Sequence, residues 1–129
     1  MSAKQQWRKN RVVWFEIPAK DLARASKFYE SILGTSLKPE SFGPHEMRMF
    51  AYDDGAAGGC LLKGPGYVPA ADGVVTYLNA DPSLDAVLAR VERAGGKVAL
   101  PRTELPKDLG CFAHIIDTEG NRVGLHAMV

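Results

Sequence analysis

The chain has 129 residues, 46% of them hydrophobic and 24% charged, with a formal net charge of +1. That length suits one compact domain, or two half-domain modules on a shared core, and the composition is that of a globular protein rather than a disordered one. The near-neutral charge offers no footprint for nucleic acid or an anionic membrane, and no apolar run approaches the roughly 20 residues that cross a bilayer.

The opening MSAKQQWRKNR lacks the apolar centre of an export signal, so the expected compartment is the cytoplasm. Residues 1–11 read as a polar N-terminal arm, with Trp7 available to pin it and Arg8, Lys9 and Arg11 as a solvated basic cluster. A single domain is expected over 12–129. The β-branched and aromatic residues 12–17 predict a strand that Pro18 ends. Asp21 then stands as an N-cap, and Leu22, Ala25, Phe28, Tyr29, Ile32 and Leu33 recur at helical spacing until Gly34 closes the helix. Three strands are predicted over 36–42, 47–52 and 59–63, with Asp53-Asp54-Gly55 as the turn before the last.

The Pro- and Gly-rich stretch 64–69 reads as a connector, and the same order then returns. A strand is predicted over 74–79 and a helix cap at Asp81 or Ser83. Leu84, Val87, Leu88, Val91 and Ala94 form an apolar helical face, and strands follow over 97–102, 111–116 and 122–128. An offset of 62 residues pairs Leu22 with Leu84, Glu30 with Glu92, Gly34 with Gly96 and Gly58 with Gly120, which is read as an internal duplication without a gap. Module one spans 12–66 and module two 74–129.

This pattern resembles the vicinal oxygen chelate superfamily, which includes glyoxalase I, bleomycin-resistance proteins and extradiol dioxygenases. The resemblance rests on Asp21-Leu22, Ala25, Phe28-Tyr29 and Leu33-Gly34 in the first module, and on Asp117, Glu119-Gly120-Asn121 and the strand after them in the second. It implies an α+β fold of two tandem βαβββ modules whose curled mixed sheet surrounds a cup, with the helices outside. It also implies a homodimer and a small organic ligand in the cup. Its members' metal ligands, a His near the start of a first strand and a Glu near the end of a last strand, fall here on Trp14, Leu62, Thr76 and Gly124. None is an ordinary ligand for a divalent ion, so the expectation is that the usual metal site is lost and that no cofactor is needed. A relocated divalent metal is the lesser alternative.

Side chains two apart on a strand share a face. Glu16 is therefore expected beside Trp14 in the cup, and Arg122 and His126 are expected to flank Gly124. A hairpin in which Asp117 faces Asn121 brings His114 opposite Gly124. Trp14, Glu16, Phe112, His114, Arg122 and His126 are the candidate ligand-binding residues, and Glu16, His114 and His126 the candidates for acid–base chemistry. The plainer alternative for this set is a polar lining, and for Glu16 a structural ion pair.

Tyr77 is assigned to the core by alternation from Thr76, and His45-Glu46 to a surface loop. Cys60 and Cys111 lack Cys-x-x-Cys spacing and read as small buried residues. Two function classes stand. One is a metal-independent small-molecule-binding protein. The other is a lyase, isomerase or dioxygenase relative with a moved metal or a metal-free acid–base pair. A pure association module, its cavity filled by side chains, is a third possibility.

Overall fold

The computed structural model describes residues 10–129, so Trp7, Arg8 and Lys9 lie outside the described residues. The element order is β1 (Trp14–Pro18), α1 (Leu22–Leu33), β2 (Lys38–Phe42), β3 (His45–Met49), β4 (Gly58–Lys63), β5 (Tyr77–Asn79), α2 (Leu84–Val91), β6 (Lys97–Glu104), β7 (Cys111–Ile116) and β8 (Arg122–Ala127). The α+β class and the two βαβββ modules are thus as expected. Each module builds its own four-stranded sheet, ordered β1-β4-β3-β2 and β5-β8-β7-β6, with the first and last strands of the module parallel and the other pairs antiparallel. Among the described residues no helix is long and apolar enough to cross a membrane.

Capping explains where the helices start. The Asp21 carboxylate accepts from the Arg24 amide at 3.0 Å, and Gly34, at φ 64°, supplies the left-handed residue that ends α1. At α2 the structure chooses Ser83, whose hydroxyl oxygen accepts from the Ala86 amide, while the Asp81 carboxylate accepts from the Met128 amide instead. The helices bury one face each: Leu22, Ala25, Phe28, Tyr29 and Ile32 on α1, and Leu84, Val87 and Val91 on α2. They pack on their sheets and on each other, so a single apolar cluster runs through both modules.

Several boundaries move. β3 begins at His45, because Gly43, at φ 59°, with Pro44 makes a two-residue turn that pairs Phe42 with His45. His45-Glu46 therefore lies in a strand and not in a loop. β5 is only three residues long, leaving Val74 94% exposed ahead of it. β6 runs on to Glu104 with register shifts on either side of Leu100, the second of which spans Pro101.

The 62-residue offset is also not constant. The Ala19 amide donates to the Leu62 carbonyl as the Ala80 amide does to that of His126, so these partners are 61 and 64 residues apart, while the caps Asp21 and Ser83 remain 62 apart. The extra residue falls between β5 and α2, and it reverses the facing expected for β5.

The turn of the last hairpin fastens the second module to the first. Asp117, 4% exposed, accepts from the Tyr29 hydroxyl at 2.7 Å, from the amides of Glu119 and Asn121, and from the Asn121 side chain. Asn121 also donates to the Pro18 carbonyl at 2.7 Å. Glu119 receives the amides of Lys20 and Asp21, at the start of α1, and the Arg24 guanidinium at 2.7 Å. Desolvation works to raise the Glu119 pKa, but the hydrogen bonds from Arg24, the Asp21 amide, Thr118 and the Lys20 amide outweigh it and hold the pKa at about 2.

The folded-state pKa lies below the ordinary 4.5, so this contribution is present above pH 4.5 and lost as pH falls towards 2. With screening at the half-exposed Arg24 it amounts to about 1–2 kcal/mol. Urea unfolding of Glu119→Gln should show a lower stability than the parent at neutral pH, and the gap should narrow below pH 4.5 and close only near about pH 2. An equal gap at both pH values would contradict the assignment.

Candidate functional site

A cleft of about 970 Å³ separates the β1 edge of the first sheet from the β5 edge of the second. Trp14, Phe15 and Glu16 line it from β1, Tyr77 and the segment 74–76 from the second module, and Phe50 and Tyr52 also line it. The aromatic wall follows from the glycines behind it. A Cβ at Gly58 would meet Trp14 and Tyr52 at about 3 Å, and one at Gly59 would enter the Phe15 ring. Glu16 is exposed at the cleft and accepts from the Trp14 indole N–H at 3.4 Å, and among the described residues it makes no ion pair. It shares a smaller recess of about 160 Å³ with Arg122. The structural ion pair offered as its plainer alternative does not form among the described residues.

On the second sheet the last hairpin has the expected register, with His114 opposite Gly124, Phe112 opposite His126 and Ile116 opposite Arg122. Leu125, Ala113 and Ala127 point into the core, so Phe112, His114, Arg122 and His126 share the opposite, open face. Tyr77 joins them. It pairs with Gly124 in the parallel ladder and is 49% exposed, which corrects its assignment to the core. The missing side chain at Gly124 makes its room, since a Cβ there would fall on the Tyr77 ring. A glycine facing an aromatic across a parallel pair was the available signal, and the β5 offset hid it.

Tyr77 Oη lies 2.6 Å from His114 Nε2, and Arg122 Nη1 lies 3.3 Å from His114 Nδ1. Burial first, and then the Arg122 charge, lower the His114 pKa, which favours the neutral imidazole. The rings of Tyr77, Phe112 and His114 pack against one another with centroids 5.4–6.0 Å apart. His126 Nε2 donates to the Leu109 carbonyl at 2.7 Å and, with Phe112, Leu105 and Tyr77, borders a second depression of about 290 Å³. Tyr77 is therefore the corner where the cleft and this depression meet.

The other candidates separate from this site. His45 packs edge-on against Tyr67 of the connector, with ring centroids 5.3 Å apart. Tyr67 reaches back towards Glu16, whose hydrogen bond and charge raise its pKa. Cys60 is fully buried, and burial, with Glu16 nearby, pushes its thiol up to about 12, so it is not a nucleophile at neutral pH.

The positions 14, 62, 76 and 124 bear an indole, an isobutyl group, a hydroxyl and no side chain. Among the described residues no three His, Cys, Asp or Glu side chains converge as a metal-ligand set. The imidazoles of His114 and His126 already have partners, and one of those partners is a guanidinium.

A family model described as Glyoxalase/Bleomycin resistance protein/Dioxygenase superfamily matches residues 11–125. Solved structures with the same fold include a glyoxalase/bleomycin resistance protein from Albidiferax ferrireducens, at 17% identity and a TM-score of 0.66, covering 90% of this chain and 97% of that one. Glyoxalase I from Zea mays aligns at 23% identity and a TM-score of 0.60 over 90% of this chain, which spans only 45% of the maize protein. TnmS3, an antibiotic binding protein from Streptomyces sp. CB03234, is 25% identical with a TM-score of 0.62, covering 92% of this chain and 95% of that one. No curated protein sequence matches the chain.

Proposed function

Because the chain belongs to the Glyoxalase/Bleomycin resistance protein/Dioxygenase superfamily, we propose that it binds a small organic molecule in the cleft between its modules, without a resident metal ion. The observation that carries this reading is the cleft of about 970 Å³, walled by Trp14, Phe15, Tyr52 and Tyr77. Concave, largely apolar surfaces of this size with a few polar groups are where proteins hold drug-sized ligands. Each aromatic wall adds about 0.5–1.5 kcal/mol beyond area burial when a flat ligand stacks on it. Glu16 at one side, and the group Tyr77, His114 and Arg122 at the other, supply orientation. Phe112 and His126 extend the second wall. TnmS3, similar over nearly its whole length, is an antibiotic binding protein, which supports an organic ligand of that general size.

The competing reading, an enzyme with a relocated metal or a Glu16–histidine acid–base pair, needs imidazole and carboxylate to converge. His126 is engaged by the Leu109 carbonyl and His114 by Tyr77 and Arg122, so in this proposal the histidines position their neighbours. A second copy of the chain is part of the proposal. β1 and β5 are both edge strands, and Val12, Val13 and Val74 stand exposed beside them, so a homodimer would cover the cleft mouth.

Titration calorimetry with 1-naphthol should give saturable binding that is lost in Trp14→Ala and in Thr76→Trp, which fills the cleft. Binding that survives both variants would refute the cleft. Elemental analysis of protein purified without chelator should find no stoichiometric metal. A metal lost in His114→Ala would overturn the metal-free part.

A further inference from the structure

We infer that Arg122, His114 and Tyr77 form a one-way chain of hydrogen-bond donors whose last member, the Tyr77 phenol, binds an acceptor oxygen of the ligand: a carboxylate, phenolate or carbonyl. This rests on the reading of the cleft as a binding site and adds the chemical class of what it holds. A guanidinium can only donate. With Arg122 Nη1 at 3.3 Å from His114 Nδ1, that nitrogen carries the lone pair, and in the neutral ring the proton resides on Nε2.

The Tyr77 oxygen, 2.6 Å from Nε2, is consequently the acceptor. Its own proton is directed away from His114, and among the described residues no other group accepts it. Tyr77 is held for this purpose. The rings of Phe112 and His114 pack against it, Gly124 makes space beneath it, and half of its surface faces the cleft and the adjoining depression.

Donors in series polarise one another, so a phenol that accepts from an imidazole N–H backed by a cation is a stronger donor than a lone tyrosine. A ligand oxygen bearing negative charge gains most, because a hydrogen bond to an ionised acceptor is about twice as strong as a neutral one. Glu16 on the facing wall disfavours a second anionic group there. The ligand class is therefore an aromatic or extended apolar body with one oxygen acceptor at its Tyr77 end.

Two measurements test this. Calorimetry with 1-naphthoate and with 1-naphthylmethylammonium should show tighter binding of the carboxylate, and Tyr77→Phe should weaken the carboxylate about tenfold and the ammonium probe by much less. Tighter binding of the ammonium probe, or equal loss of both, overturns the donor chain but leaves the cleft standing. Binding of neither probe overturns both readings. Independently of any ligand, nitrogen NMR of the imidazole resonance that disappears in His114→Gln should report the Nε2–H tautomer at neutral pH. The Nδ1–H tautomer or an imidazolium overturns the chain alone.

Discussion

Asp117→Ala should lower stability by about 3–5 kcal/mol, the largest single effect expected in this chain. The carboxylate is 4% exposed and takes four hydrogen bonds: from the Tyr29 hydroxyl, two backbone amides and the Asn121 side chain. Removing it leaves the Tyr29 hydroxyl unpaired at 0% exposure, and each such orphaned group costs about 1–3 kcal/mol.

The loss also has a tertiary consequence. Asn121, released from Asp117, would no longer be aligned to donate to Pro18 across the module boundary, and the turn bearing Glu119 would no longer be held at the start of α1. Tyr29→Phe removes one donor and leaves a carboxylate still bound by three others, so it should cost about 1–2 kcal/mol. In urea unfolding the double variant Tyr29→Phe/Asp117→Ala should be less destabilised than the sum of the singles. Additive losses, or a cost below about 1 kcal/mol for Asp117→Ala, would mean the latch is not cooperative.

The second large effect is expected at Gly124. A methyl group there would fall on the Tyr77 ring, 2.7 Å from Cγ and closer still to Cδ1 and Cε1. The ring, half exposed, can swing outward, but doing so breaks the bond to His114 and removes one wall of the cleft. Gly124→Ala should therefore cost about 1–2 kcal/mol of stability and reduce 1-naphthoate binding by about tenfold or more. Tyr77→Ala in the same chain relieves the clash, so the double variant should regain stability relative to Gly124→Ala without regaining binding. Recovery of binding together with stability would show that Tyr77 serves only to fill space.

The candidate site was partly legible because β-strand alternation is a local rule. Once Asp117 and Asn121 are placed across a turn, Phe112, His114, Arg122 and His126 must share a face, and they do. The assumption that the two halves stay in phase failed at Tyr77. Equivalent hydrogen bonds at Ala19 and Ala80 are 61 residues apart while the helix caps are 62 apart, and a slip of one residue inverts a strand. Gly124, read as a vanished ligand position, instead accommodates an aromatic ring. His45-Glu46 falls between the predicted strands 36–42 and 47–52, but Gly43-Pro44 closes a two-residue turn and β3 starts at His45.

Helix faces, caps, the duplicated βαβββ order and the register of the last hairpin were all determined by residues near one another in the chain. They follow from propensity, capping and turn chemistry, which act over a few positions. Where the two sheets stand relative to each other depends on α1 packing on α2 and on Asp117, Glu119 and Asn121 reaching Tyr29, Arg24 and Pro18, roughly a hundred residues away in the chain. That docking opens the cleft and brings Tyr77 and Glu16 to facing walls. No local pattern encodes it, because a side chain's neighbours across a module boundary depend on how two finished surfaces fit.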